Sequence, residues 1–64
     1  MEKWIADVVG KMHINKIRQS ELADALGYTK EYVSMVLTGK RNPKDAERIF
    51  TDAVDALIER KKKE

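Results

Sequence analysis

The sequence has no cysteine and only one histidine, His13. Disulfide bonds and cysteine-ligated metals are therefore excluded, and one histidine cannot form a metal site alone. Long hydrophobic runs are also missing: no stretch approaches the roughly 20 apolar residues of a membrane-spanning helix. Asp7 and Lys11 interrupt the N-terminal segment in which a secretory signal needs its apolar core. We therefore expect a cytoplasmic protein with no metal, no other cofactor and no membrane partner.

Positive charge is concentrated in the middle of the chain. The net charge is only +2, but residues 11–44 carry seven Lys or Arg against three Asp or Glu, whereas each flank has a net charge of −1. A nucleic-acid-binding surface requires such a basic region. A solvated surface with chance clustering has the same composition, so charge alone leaves both interpretations open.

Apolar residues recur at helical spacing in four segments, and no segment alternates with the period of a strand. A first helix is predicted over residues 4–12, with Asn15 as its stop and Gly10 inside it, where glycine costs about 1 kcal/mol relative to alanine. Its predicted inner face consists of Trp4, Ile5, Val8, Val9 and Met12. The second and third helices are predicted over residues 19–26 and 30–38. A fourth begins near residues 42–43 and continues unbroken to about residue 60, with Ile49, Phe50 and Leu57 in the core.

The ends of these helices carry local signals. Gly27 and Gly39 supply the left-handed backbone that ends a helix, and Thr29 is a good cap for the third helix. Asn42 is expected to cap the fourth helix, with Pro43 in its first turn. All 64 residues then form one domain, whose small core is held by well-packed helices, by a partner subunit or by both.

Residues 18–38 have the form of a helix-turn-helix, two short helices separated by Gly27 and a three-residue turn. Ala23 is small because the helices cross closely beside it. The apolar residues that fix the crossing angle are Leu22, Leu26, Val33 and Val36. One face of the third helix then remains exposed, and it carries Lys30, Glu31, Ser34, Met35 and Thr38.

This segment resembles the Cro/CI-type (Xre-type) helix-turn-helix family of phage and bacterial repressors. The matching residues are Gln19, Leu22, Ala23, Gly27, Thr29, Val33, Ser34, Val36, Gly39, Lys40 and Pro43. The resemblance implies an all-α, compact, lambda-repressor-like domain of four to five helices with a long last helix. It also implies binding to double-stranded DNA, with the third helix in the major groove.

The resemblance assigns roles to residues by position. The base-reading positions are Lys30, Glu31, Ser34 and Met35. The phosphate-contacting positions are Arg18, Gln19, Tyr28, Tyr32, Thr38, Lys40, Arg41 and Asn42. Lysine can donate to guanine, glutamate can accept from the amino group of cytosine, and methionine can pack on a thymine methyl group.

The chain departs from the family pattern at three places. Arg18 stands where the family has a Thr or Ser cap, so either Ser20 caps a shorter helix or Arg18 contacts a phosphate. Tyr28 replaces a small aliphatic residue, and we expect its ring at the edge of the core and its hydroxyl near a phosphate. The pattern over residues 43–60 shows no break, so we expect the last two helices of the family to be fused here.

Two functions follow from these features, and neither is enzymatic, because the sequence offers no nucleophile–base pair, metal cluster or phosphate-cradling loop. The first is a sequence-specific transcriptional regulator, a repressor of phage or mobile-element type. It would act as a homodimer, with the C-terminal helix as the candidate interface. The alternative is a helix-turn-helix-shaped protein-interaction module, an adaptor or antirepressor without DNA binding, which the negative charge of Glu31 favours.

Overall fold

The structure is a computed structural model that describes residues 2–63 of the chain. Its helices are α1 (Lys3–Ile14), α2 (Gln19–Leu26), α3 (Lys30–Leu37) and α4 (Ala46–Lys62). No β-strand occurs within residues 2–63, so the predicted all-α fold is confirmed, with the long unbroken last helix. Among the same residues, no helix combines the length and the apolar character that crossing a bilayer requires.

The ends of α2 and α3 follow the local signals in the sequence. The Tyr32 amide donates to Thr29 Oγ1 over 3.0 Å, which caps α3. Gly27 and Gly39 have φ values of 74° and 83°, the left-handed region that glycine adopts without a Cβ clash. The amides of the residues that follow, Tyr28 and Lys40, then return to carbonyls of the last helical turn at 2.9 Å each. The two helices are therefore bounded by interactions within a few residues.

The predicted start of α4 is wrong. Asn42 does not cap the helix and Pro43 does not lie in its first turn, because α4 begins at Ala46. The Ala46 amide donates to the Pro43 carbonyl over 3.2 Å in a turn, and Asp45 has a left-handed backbone with a φ of 63°. A helix cannot continue through that conformation, so the segment before Ala46 serves as a connection from α3.

All four helices and the α1–α2 loop contribute to one core. Its buried members are Ile5, Val8, Met12, Ile17, Leu22, Ala23, Val33, Val36, Leu37, Ala46, Phe50, Val54 and Leu57. Trp4 and Ile49, predicted as core, are only partly buried at its edge. Val9, predicted on the inner face of α1, is 39% exposed. Because α1 packs chiefly against one helix, α4, the face that it buries is narrower than the inner face predicted from its apolar residues.

The end of α1 is built like the ends of α2 and α3, but without a glycine. The Ile17 amide donates to the Met12 carbonyl over 2.8 Å, and Ile17 is buried. Lys16, just before it, has a φ of 57°. A left-handed backbone costs a residue with a Cβ roughly 1–2 kcal/mol, so this turn is held in place by the burial of Ile17.

Replacing Lys16 with glycine removes that strain. We expect Lys16→Gly to raise the free energy of unfolding by about 1 kcal/mol, less the greater freedom of glycine in the unfolded chain. Urea denaturation followed by circular dichroism measures the change. Lys16→Ala is the control, because it removes the charge and keeps the Cβ. An equal gain from both variants would show that the charge, not the backbone, is the cause.

Candidate nucleic-acid interface

The candidate interface is built on the packed pair α2 and α3. Leu22 and Ala23 of α2 and Val33 and Val36 of α3 are buried, at 0–2% exposure, whereas Leu26 is only partly buried. The turn closes directly against α2, because the Tyr28 amide donates to the Ala23 carbonyl. This packing fixes the direction of α3 and turns its opposite side outward.

The residues assigned to base contacts lie on that outward side. Lys30 and Glu31 are exposed, and Ser34 and Met35 are partly buried. Gln19, at the start of α2, lines one shallow groove together with Lys30, Glu31 and Ser34. The helix pair thus brings a residue assigned to a phosphate and three residues assigned to bases onto one continuous surface.

Glu31 places a negative charge at the entrance to this surface. It lies in the first turn of α3, where the positive end of the helix dipole stabilises a carboxylate. Among residues 2–63, Glu31 forms no ion pair with a basic side chain. Its side chain is exposed and remains open to an incoming ligand.

Basic residues flank the helix pair at both ends. Arg18 is exposed directly before α2, which begins at Gln19, so Ser20 is not the cap of a shorter helix. Lys40, Arg41 and Asn42 are exposed after α3. The amides of Lys40 and Arg41 both donate to the Met35 carbonyl, over 2.9 and 3.1 Å. The basic loop is therefore tied to the end of α3 through its backbone, and its side chains extend from a fixed base.

Tyr28 and Tyr32 form an aromatic pair beside the turn. Their ring centroids are 4.9 Å apart in an edge-to-face arrangement, and Tyr28 also lies 6.3 Å from Phe50 of the core. Tyr28 is 38% exposed, so its ring lies at the edge of the core as expected, whereas the phosphate contact of its hydroxyl stays a prediction. Thr38 donates its hydroxyl to the Ser34 carbonyl over 2.9 Å, so that proton is engaged within α3.

Residues 15–47 match the sequence model of a protein family described as Helix-turn-helix, which is 33 of the 64 residues. The chain belongs to this family, the Xre/Cro-CI type. The resemblance noted in the sequence is thereby confirmed. Neither the search of curated proteins nor the search of solved structures gave a match.

Membership defines the role of this helix-turn-helix at a general level. The family is a DNA-binding regulatory one and typically non-enzymatic, so α2 and α3 form the DNA-binding unit of a regulator. Among residues 2–63, no three His, Cys, Asp or Glu side chains come together as metal ligands would.

Sequence reasoning overlooked Glu21 as part of the scaffold of the helix-turn-helix. Its carboxylate accepts from the Arg18 amide over 3.1 Å and lies 3.4 Å from Lys61 Nζ of α4. A glutamate three residues after a helix cap commonly accepts from the backbone amide of the cap residue. The Arg18 contact of Glu21 was therefore predictable from the sequence. The Lys61 contact joins different helices and depends on the fold.

These contacts act on the pKa of Glu21. The Arg18 amide lowers it most, the Lys61 ammonium and the Arg18 charge lower it further, and partial desolvation raises it, so the net pKa lies below the ordinary value of 4.5. A carboxyl group whose pKa is lower in the folded than in the unfolded chain stabilises the fold above the unfolded value. Its contribution is lost as the pH falls through the folded value.

The pKa of Glu21 tests the contact between α2 and α4. We expect Lys61→Ala to raise this pKa without restoring 4.5, because the larger cause, the Arg18 amide, remains. A pH titration of the side-chain carboxyl ¹³C shift by NMR measures it, with Lys62→Ala as the matched control. An unchanged Glu21 pKa in Lys61→Ala would contradict the contact.

Proposed function

We propose that this protein is a sequence-specific transcriptional regulator, a repressor of phage or mobile-element type, that binds operator DNA through α3 in the major groove. The observation that carries the proposal is the shared groove of Gln19, Lys30, Glu31 and Ser34 on the outward side of the helix pair. Operator DNA and a regulatory role also favour a cytoplasmic protein.

In the proposed complex, the first turns of α3 reach the base edges. The N-terminal residues of a recognition helix enter the groove first, which suits the exposed Lys30 and Glu31. Lys30 donates to guanine O6 or N7, and Glu31 accepts from cytosine N4. Ser34 serves either base type, and Met35 packs its exposed part on a thymine methyl group.

Phosphate contacts then hold α3 in register. Arg18 and Gln19 meet the backbone at the start of α2, where amide groups and the helix dipole favour an anion. The loop Lys40–Arg41–Asn42 meets it beyond α3. Tyr28 and Tyr32 complete the proposed phosphate contacts, and Thr38 joins them when its hydroxyl turns from the Ser34 carbonyl to a phosphate oxygen. These contacts position the protein without selecting a sequence.

Two copies acting on a two-fold operator complete the proposal. Dimers of this class place their recognition helices one helical turn of DNA apart, roughly 34 Å. The C-terminal helix is the interface expected from the sequence, but its exposed residues include five charged side chains before its basic end, namely Glu47, Arg48, Asp52, Asp55 and Glu59. A contact through α4 would thus be largely electrostatic.

Glu31 supports a second candidate, the protein-interaction module without DNA binding. Its exposed carboxylate would repel phosphates wherever it finds no cytosine partner. Dependence on salt separates the two candidates, because a DNA complex releases the counterions of every phosphate that it neutralises.

We expect the association constant with duplex DNA to fall steeply as salt rises. Three cations assigned to phosphates, Arg18, Lys40 and Arg41, give a log–log slope of about −3 per copy, at about −0.9 for each phosphate. Fluorescence anisotropy with a labelled duplex from the region upstream of the gene measures this slope. The KCl concentration is varied between about 50 and 300 mM. Absence of salt-sensitive binding to any duplex would support the interaction module instead.

Substitutions separate phosphate contacts from base contacts. We expect Lys40→Ala and Arg41→Ala each to weaken binding to all sequences about equally and to reduce the salt slope by about 1. Lys30→Ala and Met35→Ala should instead change the sequence preference, with about 1–3 kcal/mol at stake for a good base contact. Selection from a randomised duplex pool measures preference, and Lys62→Ala controls for loss of charge. Equal, sequence-independent losses from both pairs would refute the assignment of α3.

A further inference from the structure

The outer face of α1 carries apolar surface that the core does not use. Ile14 is 79% exposed, the highest value among the large apolar residues of the described chain. Four and eight residues before it lie Gly10 and Ala6, so the three share one side of the helix. Ala6 is exposed and Gly10 partly so. One face of α1 therefore presents a bulky apolar side chain next to two small residues.

Gly10 has no explanation within the single chain. Its backbone is helical, without the positive φ of Gly27 and Gly39. A Cβ added to it would meet nothing within 4 Å, so internal packing does not require a glycine there. Glycine weakens a helix interior, and the missing side chain leaves room for the close approach of something outside the chain.

The hollow at Gly10 belongs to a groove between α1 and α4. Its lining includes Ala6, Asp7, Gly10 and Ile14 of α1 and Glu47 and Thr51 of α4. The side chain that protrudes, Ile14, and the surface that recedes, at Ala6 and Gly10, are thus parts of one surface. A surface that holds both a protrusion and a matching hollow is complementary to a copy of itself when the two are related by a two-fold axis.

We propose that this α1 face binds a second copy of the chain, with the two α1 helices antiparallel and crossing at Gly10; the proposal deepens the proposed function, on whose dimer it rests. Positions at equal distances before and after the crossing point are then opposite each other. Ile14 of each copy lies against Ala6 of the second copy, where a small residue leaves room for it. The missing side chain of Gly10 lets the two backbones approach.

Charge favours the antiparallel orientation. Residues 2–8, from the cap of α1 to its middle, carry Glu2 and Asp7 against Lys3, whereas residues 9–16, from its middle to just beyond its end, carry Lys11, His13 and Lys16 and no acidic residue. An antiparallel pair sets the acidic part of each helix against the basic part of the other. Lys11 Nζ lies 3.1 Å from Asp55 Oδ1 of α4, which directs this side chain toward α4 and away from the crossing point.

The size of the contact indicates a weak dimer. The 12 residues of α1 give a helix about 18 Å long. A pair of such short helices buries less surface than the roughly 1,200–2,000 Å² of a typical stable interface. Two copies on one operator are held near each other by the DNA, and that effective concentration compensates for a weak contact. The α1 pair therefore forms at high concentration in solution and on DNA with two half-sites.

The test is the self-association of the full chain without DNA, by sedimentation equilibrium up to about 1 mM. We expect concentration-dependent dimers from the wild type and at least tenfold weaker association for Ile14→Lys and Gly10→Gln. Gly10→Gln fills the hollow without harm to the helix, so loss of folding does not explain its effect. Ala56→Lys, on the exposed side of α4, is the matched control and should associate like the wild type.

A charge reversal tests the orientation. We expect Asp7→Lys to weaken association, because it removes the negative charge that the antiparallel pair sets against the basic part of the second copy. In a mixed-labelled sample, an isotope-filtered NOE between the Ile14 methyls and the Ala6 methyl of the second copy supports the same contact.

Three results would overturn the α1 pair: a monomer at 1 mM, a dimer insensitive to Ile14→Lys, or a dimer that only Ala56→Lys disrupts. If any of these results is found together with salt-sensitive DNA binding, only the α1 interface is refuted and the proposed regulator stands. If the α1 dimer forms but binds no DNA, the interface stands and the proposed regulator is refuted.

Discussion

The burial of Phe50 is the constraint on which the rest of this small fold depends. Its ring on α4 is 1% exposed, and its centroid lies 6.1 Å from Trp4 of α1 and 6.3 Å from Tyr28 of the turn. One side chain thus connects α1 and the helix-turn-helix to α4. Removing a buried phenylalanine costs about 3–5 kcal/mol, about as much as the whole core of so short a chain supplies. Folding and the presentation of α3 are therefore one event.

The interface inherits its geometry from this core through the turn. Tyr28 packs on Phe50 and Tyr32 and sends its amide to the Ala23 carbonyl, so the residue before the Thr29 cap is fixed on both its side-chain and its backbone side. The first turn of α3 then starts at a defined place relative to α2. A binding surface on such rigid elements loses little conformational entropy when it meets a ligand, which suits base recognition by few side chains.

The sequence predicted best what local chemistry decides. Gly27, Thr29 and Gly39 bound α2 and α3 through interactions within a few residues, so both helices lie within one residue of their predicted ends. The predicted start of α4 was wrong. Asn42 and Pro43 make a good helix start locally, but the route of the chain from α3 imposes a left-handed backbone at Asp45. The predicted burial of Val9 was wrong, and the Lys61 contact of Glu21 was missed, for the same reason. Burial on α1 and pairing across helices depend on tertiary neighbours that spacing does not encode.

The modest positive charge fits the proposed regulator, whose affinity would come from the pairing of two copies. Each copy offers about three cations to phosphates in the proposed complex, which supplies limited electrostatic affinity at physiological salt. In the proposed dimer, two weakly associating copies combine their contacts only on a site with both half-sites, so a single half-site in bulk DNA would hold one copy loosely. Glu31 acts in the same direction. In the proposed complex, its carboxylate accepts a hydrogen bond opposite cytosine and is unpaired near phosphates elsewhere, so it would penalise wrong sequences more than it strengthens the right one. A negative charge on a recognition helix is thus compatible with DNA binding when the regulator needs discrimination between sequences more than it needs overall affinity.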